Sequence, residues 1–366
     1  MIDRDELTAW LRLLETPGVG RESARRLLAA FGSPEGVFQA SSAAQRNVVS
    51  ANVVNALAQP AESLAAQVDK TLAWLGAVPD ERATVPLGDP RYPNPLLETA
   101  DPPLLLYAQG QLSHMQAPSL AVVGSRNPTP QGLENARAFA HHLSQAGLTV
   151  VSGLALGVDT AAHEGALEGP AGTIAVVGTG LDQVYPRRNA KLAQRIVERG
   201  LLLSEFSLGT PPLPEHFPIR NRIIAGLTRG TLVVEAALQS GSLITARLAS
   251  EAGRDVYAIP GSIHSPLSRG CNALLKQGAK LVDSAQDILE DMKFPGVRTT
   301  SAPTPQESPS TDPVLEALGY EPMSLEALVA RTGWSAAQLN IRLLELELGG
   351  QVTRLAGQLF QRISRG

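Results

Sequence analysis

Between residues 119 and 282, short apolar runs alternate with amphipathic helical stretches, and glycine-rich turns separate them. The runs are SLAVVGS (119–125), LTVVSGL (148–154), TIAVVGT (173–179), LLLSEF (201–206), TLVVEA (231–236), DVYAIPG (255–261) and a short AKLV (279–282). Most are too short for helices and too apolar to face water on one side. Helical spacing recurs between most of them, at 131–146, 159–168, 188–199, 220–228 and 242–253. Parallel strands need such crossovers, and helices laid on both faces explain the near-continuous apolar character. The pattern predicts a Rossmann-like, doubly wound α/β domain with right-handed connections.

Around this body the chain divides into four parts. Residues 1–80 carry apolar positions at helical spacing (Leu7, Trp10, Leu11, Leu14, then Ala24, Leu27, Leu28, Phe31) and read as a helical domain. Residues 81–295 hold the Rossmann-like domain. Residues 296–312, rich in Pro, Ser and Thr, bury little and read as a flexible linker. Residues 313–366 form a small third unit.

Composition narrows the class. The net charge is −4, and 43% of residues are apolar, so neither a disordered chain nor a polycationic coat protein fits. A single cysteine, Cys271, excludes an intrachain disulfide and any cysteine cluster for zinc or iron–sulfur. The N-terminus is acidic where a signal peptide is basic, and no stretch reads as a membrane span, so a cytoplasmic protein is expected.

Ligands of open α/β sheets bind beyond the carboxyl ends of the strands. Four turns there are made of small residues: Gly124-Ser125-Arg126, Ser152-Gly153, Gly178-Thr179-Gly180 and Ser240-Gly241-Ser242. Small residues let backbone N–H groups and helix starts approach an anion. At any one turn the glycines serve equally well as tight connections. Asp159 reads equally as an N-cap of the helix that follows it. Known cofactor signatures are missing. Position 183 is Gln where a dinucleotide fingerprint needs Gly, no lysine follows a glycine as a Walker loop requires, and there is no G-x-S-x-G elbow. His141-His142 read as one surface and one partly buried side chain, and His163 and His216 lack partners at ligand spacing. No metal or cofactor is expected.

The most distinctive stretch is HFPIRNRIIAGL (216–227), approached through Pro211, Pro212, Pro214 and Pro218. A helix starting at Arg220 would place Arg220 and Arg222 in its first turn, where positive charge opposes the macrodipole unless an anion sits there. Residues 182–230 hold eight basic and four acidic groups, against a negative total. A basic lip beside Phe217 suits single-stranded nucleic acid, with phosphates on arginine and a base on the ring. A structural arginine network around a core phenylalanine fits the same residues.

VVGSRNPTPQG (122–132), VVSGLALGVDTAAHEGAL (150–167), VVGTGLDQVYPRRN (176–189), HFPIRNRIIAGL (216–227), VVEAALQSGSLITARLASEAGRDVYAIPGS (233–262) and GCNALLKQGAKLV (270–282) together resemble the DNA-processing protein A family, DprA or Smf. The resemblance runs in order over about 80–290. It implies an extended Rossmann fold that binds single-stranded DNA without sequence preference, protects incoming DNA, forms a homodimer through that domain and loads the RecA recombinase during natural transformation. By matching motif, the strand site would comprise Gly124, Ser125, Arg126, Ser152, Gly153, Phe217, Arg220, Asn221, Arg222, Ser240, Gly241 and Ser242. Asn272, Leu274, Leu275 and Gln277 would fall near the dimer contact. No catalysis is implied. The alternative is a phosphoribohydrolase-like enzyme on the same sheet edge, with Glu205 or Glu235 as acid/base. The P-G-G-x-G-T turn of such enzymes is absent at 239–243.

The flanking units resemble modules that the family carries. TPGVGRESARRLLAAFGS (16–33) looks like a helix-hairpin-helix (SAM-like) element, with Arg21, Arg25 and Arg26 beside the Pro17–Gly20 hairpin, and reads equally as a structural helical hairpin. Residues 313–366 look like a winged-helix domain, with helices at 314–318, 325–332 and 336–348 and Gly357 central to a wing. Its third helix carries Arg342 but also Glu345 and Glu347, which weakens a duplex-groove reading. The terminal units are therefore candidates for duplex contact or for interaction and regulation.

Overall fold

The computed structural model describes residues 2–294 and 312–363. The expected linker at 296–312 lies outside the described residues, except for Asp312.

Six helices open the chain: α1 (Arg4–Glu15), α2 (Arg21–Phe31), α3 (Pro34–Gln39), α4 (Ser42–Arg46), α5 (Ala51–Leu57) and α6 (Leu64–Ala77). Asp3, Ser33 and Ser41 start three of them by accepting the N–H of the residue three positions on. Trp10 and Leu13 of α1 pack with Leu27 of α2 and Val37 of α3. The adjoining face of α1, Leu7 and Leu11, joins Val68 and Trp74 of α6 in a core that continues onto Leu105, Tyr107 and Leu202. The helical unit is thus packed on the body rather than tethered to it.

The body contains β1 (Arg82–Pro86), α7 (Asn94–Leu97), β2 (Leu105–Gly110), β3 (Ser119–Val123), α8 (Pro130–Gln145), β4 (Thr149–Ser152), α9 (Val158–Ala166), β5 (Thr173–Val176) and α10 (Ala190–Arg199). It continues through β6 (Leu201–Ser204), α11 (His216–Leu227), β7 (Gly230–Val233), α12 (Gly241–Glu251), β8 (Asp255–Ala258), α13 (Arg269–Lys276), β9 (Lys280–Leu281) and α14 (Ala285–Asp291). The sheet order is β1-β2-β6-β5-β4-β3-β7-β8-β9. The seven strands from β3 onward are parallel, as the sequence pattern predicts. Strands β1 and β2 add to this as an antiparallel edge, with Tyr107 opposite Ser204. They are masked in the sequence by Pro86, Pro102 and Pro103, which read as loop. Apolar layers cover both faces, one built with α11, α12 and α13, the other with α8, α9 and α14.

The topology fixes where a ligand can sit. From β3 the chain moves to β4 on one side, and it later returns to the other side of β3 with β7. The connections after β3 and β7 therefore diverge, and a crevice opens between them.

Residues 312–363 form α15 (Pro313–Leu318), β10 (Met323–Ser324), α16 (Leu325–Thr332), α17 (Ala336–Leu348), β11 (Val352–Leu355) and β12 (Leu359–Arg362), in the winged-helix arrangement. Gly357 takes φ +82° in the wing hairpin, a conformation open to glycine. Among the described residues, no helix is long and apolar enough to cross a membrane, and no group of three or more His, Cys, Asp or Glu could hold a metal ion.

Candidate functional site

A cavity of about 690 Å³ occupies the crevice at the switch point. Gly124, Ser125 and Arg126, after β3, form one wall, and Ser240, Gly241 and Ser242, leading into α12, form the facing one. Phe217, Arg220 and Asn221 of α11 close it. A side chain at 124 would meet Val158 Cγ2 at 2.7 Å and the Glu235 carbonyl at 3.0 Å, so the turn needs glycine to pack. Ser240 caps α12: its Oγ accepts from the Ser242 N–H at 3.3 Å and lies 2.7 Å from the Ser242 hydroxyl. The site is built from strand ends and helix starts.

Ser152 and Gly153 lie beneath the cavity instead of lining it. Ser152 Oγ donates to the Val122 carbonyl at 2.7 Å. The Gly153 and Ala155 N–H groups donate to Asp159 at 3.0 and 3.3 Å. Asp159 therefore organises the β4–α9 turn; the N-cap of α9 is Gly157, not Asp159. On this floor rests Arg220, only 4% exposed. Its Nη1 donates to the Val176 carbonyl at 2.9 Å, and its Nε has no partner. Among the described residues it forms no ion pair. Burial pulls the guanidinium down to about 10, Asp159 opposes that shift, and Arg126 adds to it. Burial pushes Asp159 up, and Arg220 and the two N–H donors oppose. Arg220 is thus a buried cation, still protonated at neutral pH, that lines the cavity with donor capacity to spare.

Aromatic rings stand beside it. The exposed Arg126 guanidinium lies 5.6 Å from the Phe217 ring centroid. Tyr185, 45% exposed, tilts against Phe217 at 5.8 Å between centroids and also lines the cavity. His216 stacks on Phe206 at 4.2 Å and donates from Nδ1 to the Gly178 carbonyl at 3.2 Å. Tyr185 is the residue that motif reasoning left out. The available signal was a lone aromatic one proline ahead of Arg187-Arg188.

Three sequence expectations need correction. Helix α11 begins at His216, with Pro218 inside its first turn, so Arg220 and Arg222 are not at its N-terminus. Arg222 is absent from the cavity lining. It pairs with Glu205 and, through Nε at 3.2 Å, with Asp101. Arg21 and Arg25, the cations of the N-terminal hairpin, converge on the same two carboxylates: Arg21 reaches Asp101 at 3.2 Å and Glu205 at 3.5 Å, and Arg25 pairs with Asp101. Of the four glycine turns, Ser152-Gly153 and Gly178-Thr179-Gly180 do not line the cavity; Gly178 backs the Phe217 ring.

The carboxylates considered as acid/base groups are both structurally engaged. Glu205 belongs to that ion network. Glu235 accepts from the Thr129 N–H at 2.9 Å and its hydroxyl at 2.6 Å at the start of α8; burial pushes it up while these donors oppose. Neither lines the cavity.

A second groove, of about 610 Å³, runs between α12 and α13. Leu274 and Gln277 line it together with the exposed Leu238. Asn272 instead pins the loop after β8, donating to the Gly261 carbonyl at 3.0 Å, and Leu275 packs against the core.

The switch point of this doubly wound α/β body thus brings together a buried arginine, the exposed Tyr185 ring and the partly buried Phe217 ring. Residues 83–293 match the family model described as DNA recombination-mediator protein A, and residues 298–358 match the DprA winged helix domain. The chain belongs to this DprA/Smf family. It is 42% identical over 299 residues to Protein Smf of Escherichia coli (strain K12), covering 79% of each chain. It is 51% identical over 206 residues to DNA processing protein DprA of Streptococcus pneumoniae, covering 56% of this chain and 73% of that one. The crystal structure of the S. pneumoniae protein superposes with a TM-score of 0.67 at 39% identity, over 79% of this chain and 98% of that one. A structure of DNA processing protein A from Helicobacter pylori, described for its single-stranded DNA binding mode, gives 0.53 at 32% identity, over 58% of this chain and 95% of that one.

Proposed function

We propose that the chain is a non-enzymatic, sequence-independent single-stranded DNA-binding protein. In this reading it acts in the cytoplasm as a homodimer, protects incoming DNA during natural transformation and loads the RecA recombinase onto the strand. The observation that carries the reading is the pairing of Arg220 and Arg126 with Phe217 and Tyr185 in one crevice. Cations take phosphates, ring faces take bases, and neither reads sequence. Asn221, the side chain suited to a base edge, is engaged with the Gly241 carbonyl at 3.5 Å. The likeness to the H. pylori protein supports the same ligand. The strand site would be Gly124, Ser125, Arg126, Phe217, Arg220, Asn221, Ser240, Gly241 and Ser242, resting on Ser152 and Gly153, with Arg222 anchoring α11 from behind. The groove at Leu274 and Gln277, with Leu238 and Leu281 exposed beside it, suits the homodimer contact. The occupied carboxylates Glu205 and Glu235 support binding over hydrolysis. The full-length protein should retain oligo-dT in a gel shift under duplex competitor and release no free base from nucleoside monophosphates. Preference for duplex, or base release, would overturn the reading.

A further inference from the structure

Helix α17 buries Leu339, Leu343 and Leu346 in the core of its module. Its other face leaves Ile341 65%, Leu344 52% and Leu348 82% exposed. With the exposed Ala337 they follow the four-three-four spacing of a helix-pairing seam. In winged-helix proteins this helix is the one that enters a DNA groove, and such a face needs cations for phosphates. Residues 312–363 hold four arginines and six carboxylates. All four arginines have partners inside the module. Arg342 pairs with Asp312 at 2.6 Å and Glu345 at 2.5 Å, and Arg331 donates to the Ala317 carbonyl at 3.0 Å. Arg354 lies over Phe360 at 5.1 Å and Arg362 over Tyr320 at 4.9 Å.

Glu345 and Glu347 flank the seam at the positions that choose a partner's charge. Two copies of the face would crowd these carboxylates together. A helix with basic flanks would neutralise them. We propose that α17 docks an amphipathic helix of a partner protein, whose apolar seam is bordered by lysine or arginine. This stands apart from the strand-binding reading and uses none of its residues.

The test titrates full-length protein with three labelled synthetic helices of three heptads each. The first has leucine at a and d and lysine at e and g; the second has the same seam with glutamate flanks; the third has the lysines but a scrambled seam. The lysine-flanked seam should bind, and both controls should bind at least about tenfold more weakly. Ile341→Glu and Leu344→Glu should each weaken it about tenfold or more, with circular dichroism and oligo-dT affinity unchanged. Leu344→Ser, a milder change, should move in the same direction. Equal binding by the scrambled peptide, indifference to the substitutions, self-association lost in Leu344→Glu, or duplex affinity lost in that variant would each overturn the proposal.

Discussion

Gly153 lies against the guanidinium of Arg220 so closely that a Cβ at 153 would overlap it. The absence of a side chain at the end of β4 is thus what lets a charged arginine lie flat under the switch-point cavity. Gly153→Ala should push Arg220 out of place and weaken oligo-dT binding by about tenfold or more, at a stability cost of about 1–3 kcal/mol. Fluorescence anisotropy beside urea denaturation separates the two effects.

The ion network of Arg21, Arg25 and Arg222 with Asp101 and Glu205 joins the N-terminal helices to the back of α11. Arg222→Ala leaves partly buried carboxylates short of a partner and should cost roughly 2–4 kcal/mol of stability. Because these cations are already paired, Arg25→Ala should leave the slope of log affinity against log salt unchanged. A slope reduced by about one would mean that Arg25 touches a phosphate.

Ring stacking gives a separate readout. Phe217→Leu should weaken strand binding by about 1–3 kcal/mol, equally for oligo-dT and oligo-dC, with the salt slope intact. Tyr185→Leu should act in the same direction. Loss confined to one base would point to edge recognition instead.

His163 supplies a pH test. Its Nε2 accepts from the Leu154 N–H at 3.3 Å, Nδ1 bonds the Thr173 hydroxyl at 2.7 Å, and that hydroxyl donates to the Val150 carbonyl at 2.7 Å. Complete burial, with Arg220 adding to it, drives the ring from 6.5 down to about 3. The unfolded state therefore binds the extra proton first, and stability is present above pH 6.5 and lost as pH falls toward 3. The loss between pH 6.5 and 4 should be about 3 kcal/mol. Urea midpoints across that range should show it, and His163→Gln should flatten the dependence.

The parallel strands and most of their helices were legible because seven short apolar runs recur with helical stretches between most of them. The edge strands β1 and β2 were not, since prolines around them imitate a loop. At the site, the glycine and serine turns after β3 and before α12 line the cavity, whereas Ser152-Gly153 and Gly178-Thr179-Gly180 do not. Arg220 and Arg222 looked equivalent in sequence, yet residues two apart on a helix face different ways. One therefore reaches the cavity and the other the N-terminal helices. The carboxylates that hold Arg21 and Arg25 are distant in sequence, and no local pattern announces such a pairing.

The central claim is that Arg126 and Arg220 bind the phosphates of a single strand. Its most direct test is oligo-dT anisotropy across a salt series for the wild type, Arg126→Ala and Arg220→Gln. The wild type should bind with an affinity that falls steeply with salt, and each variant should bind much more weakly, with a slope shallower by about one. Affinities and slopes unchanged in both variants would contradict the account.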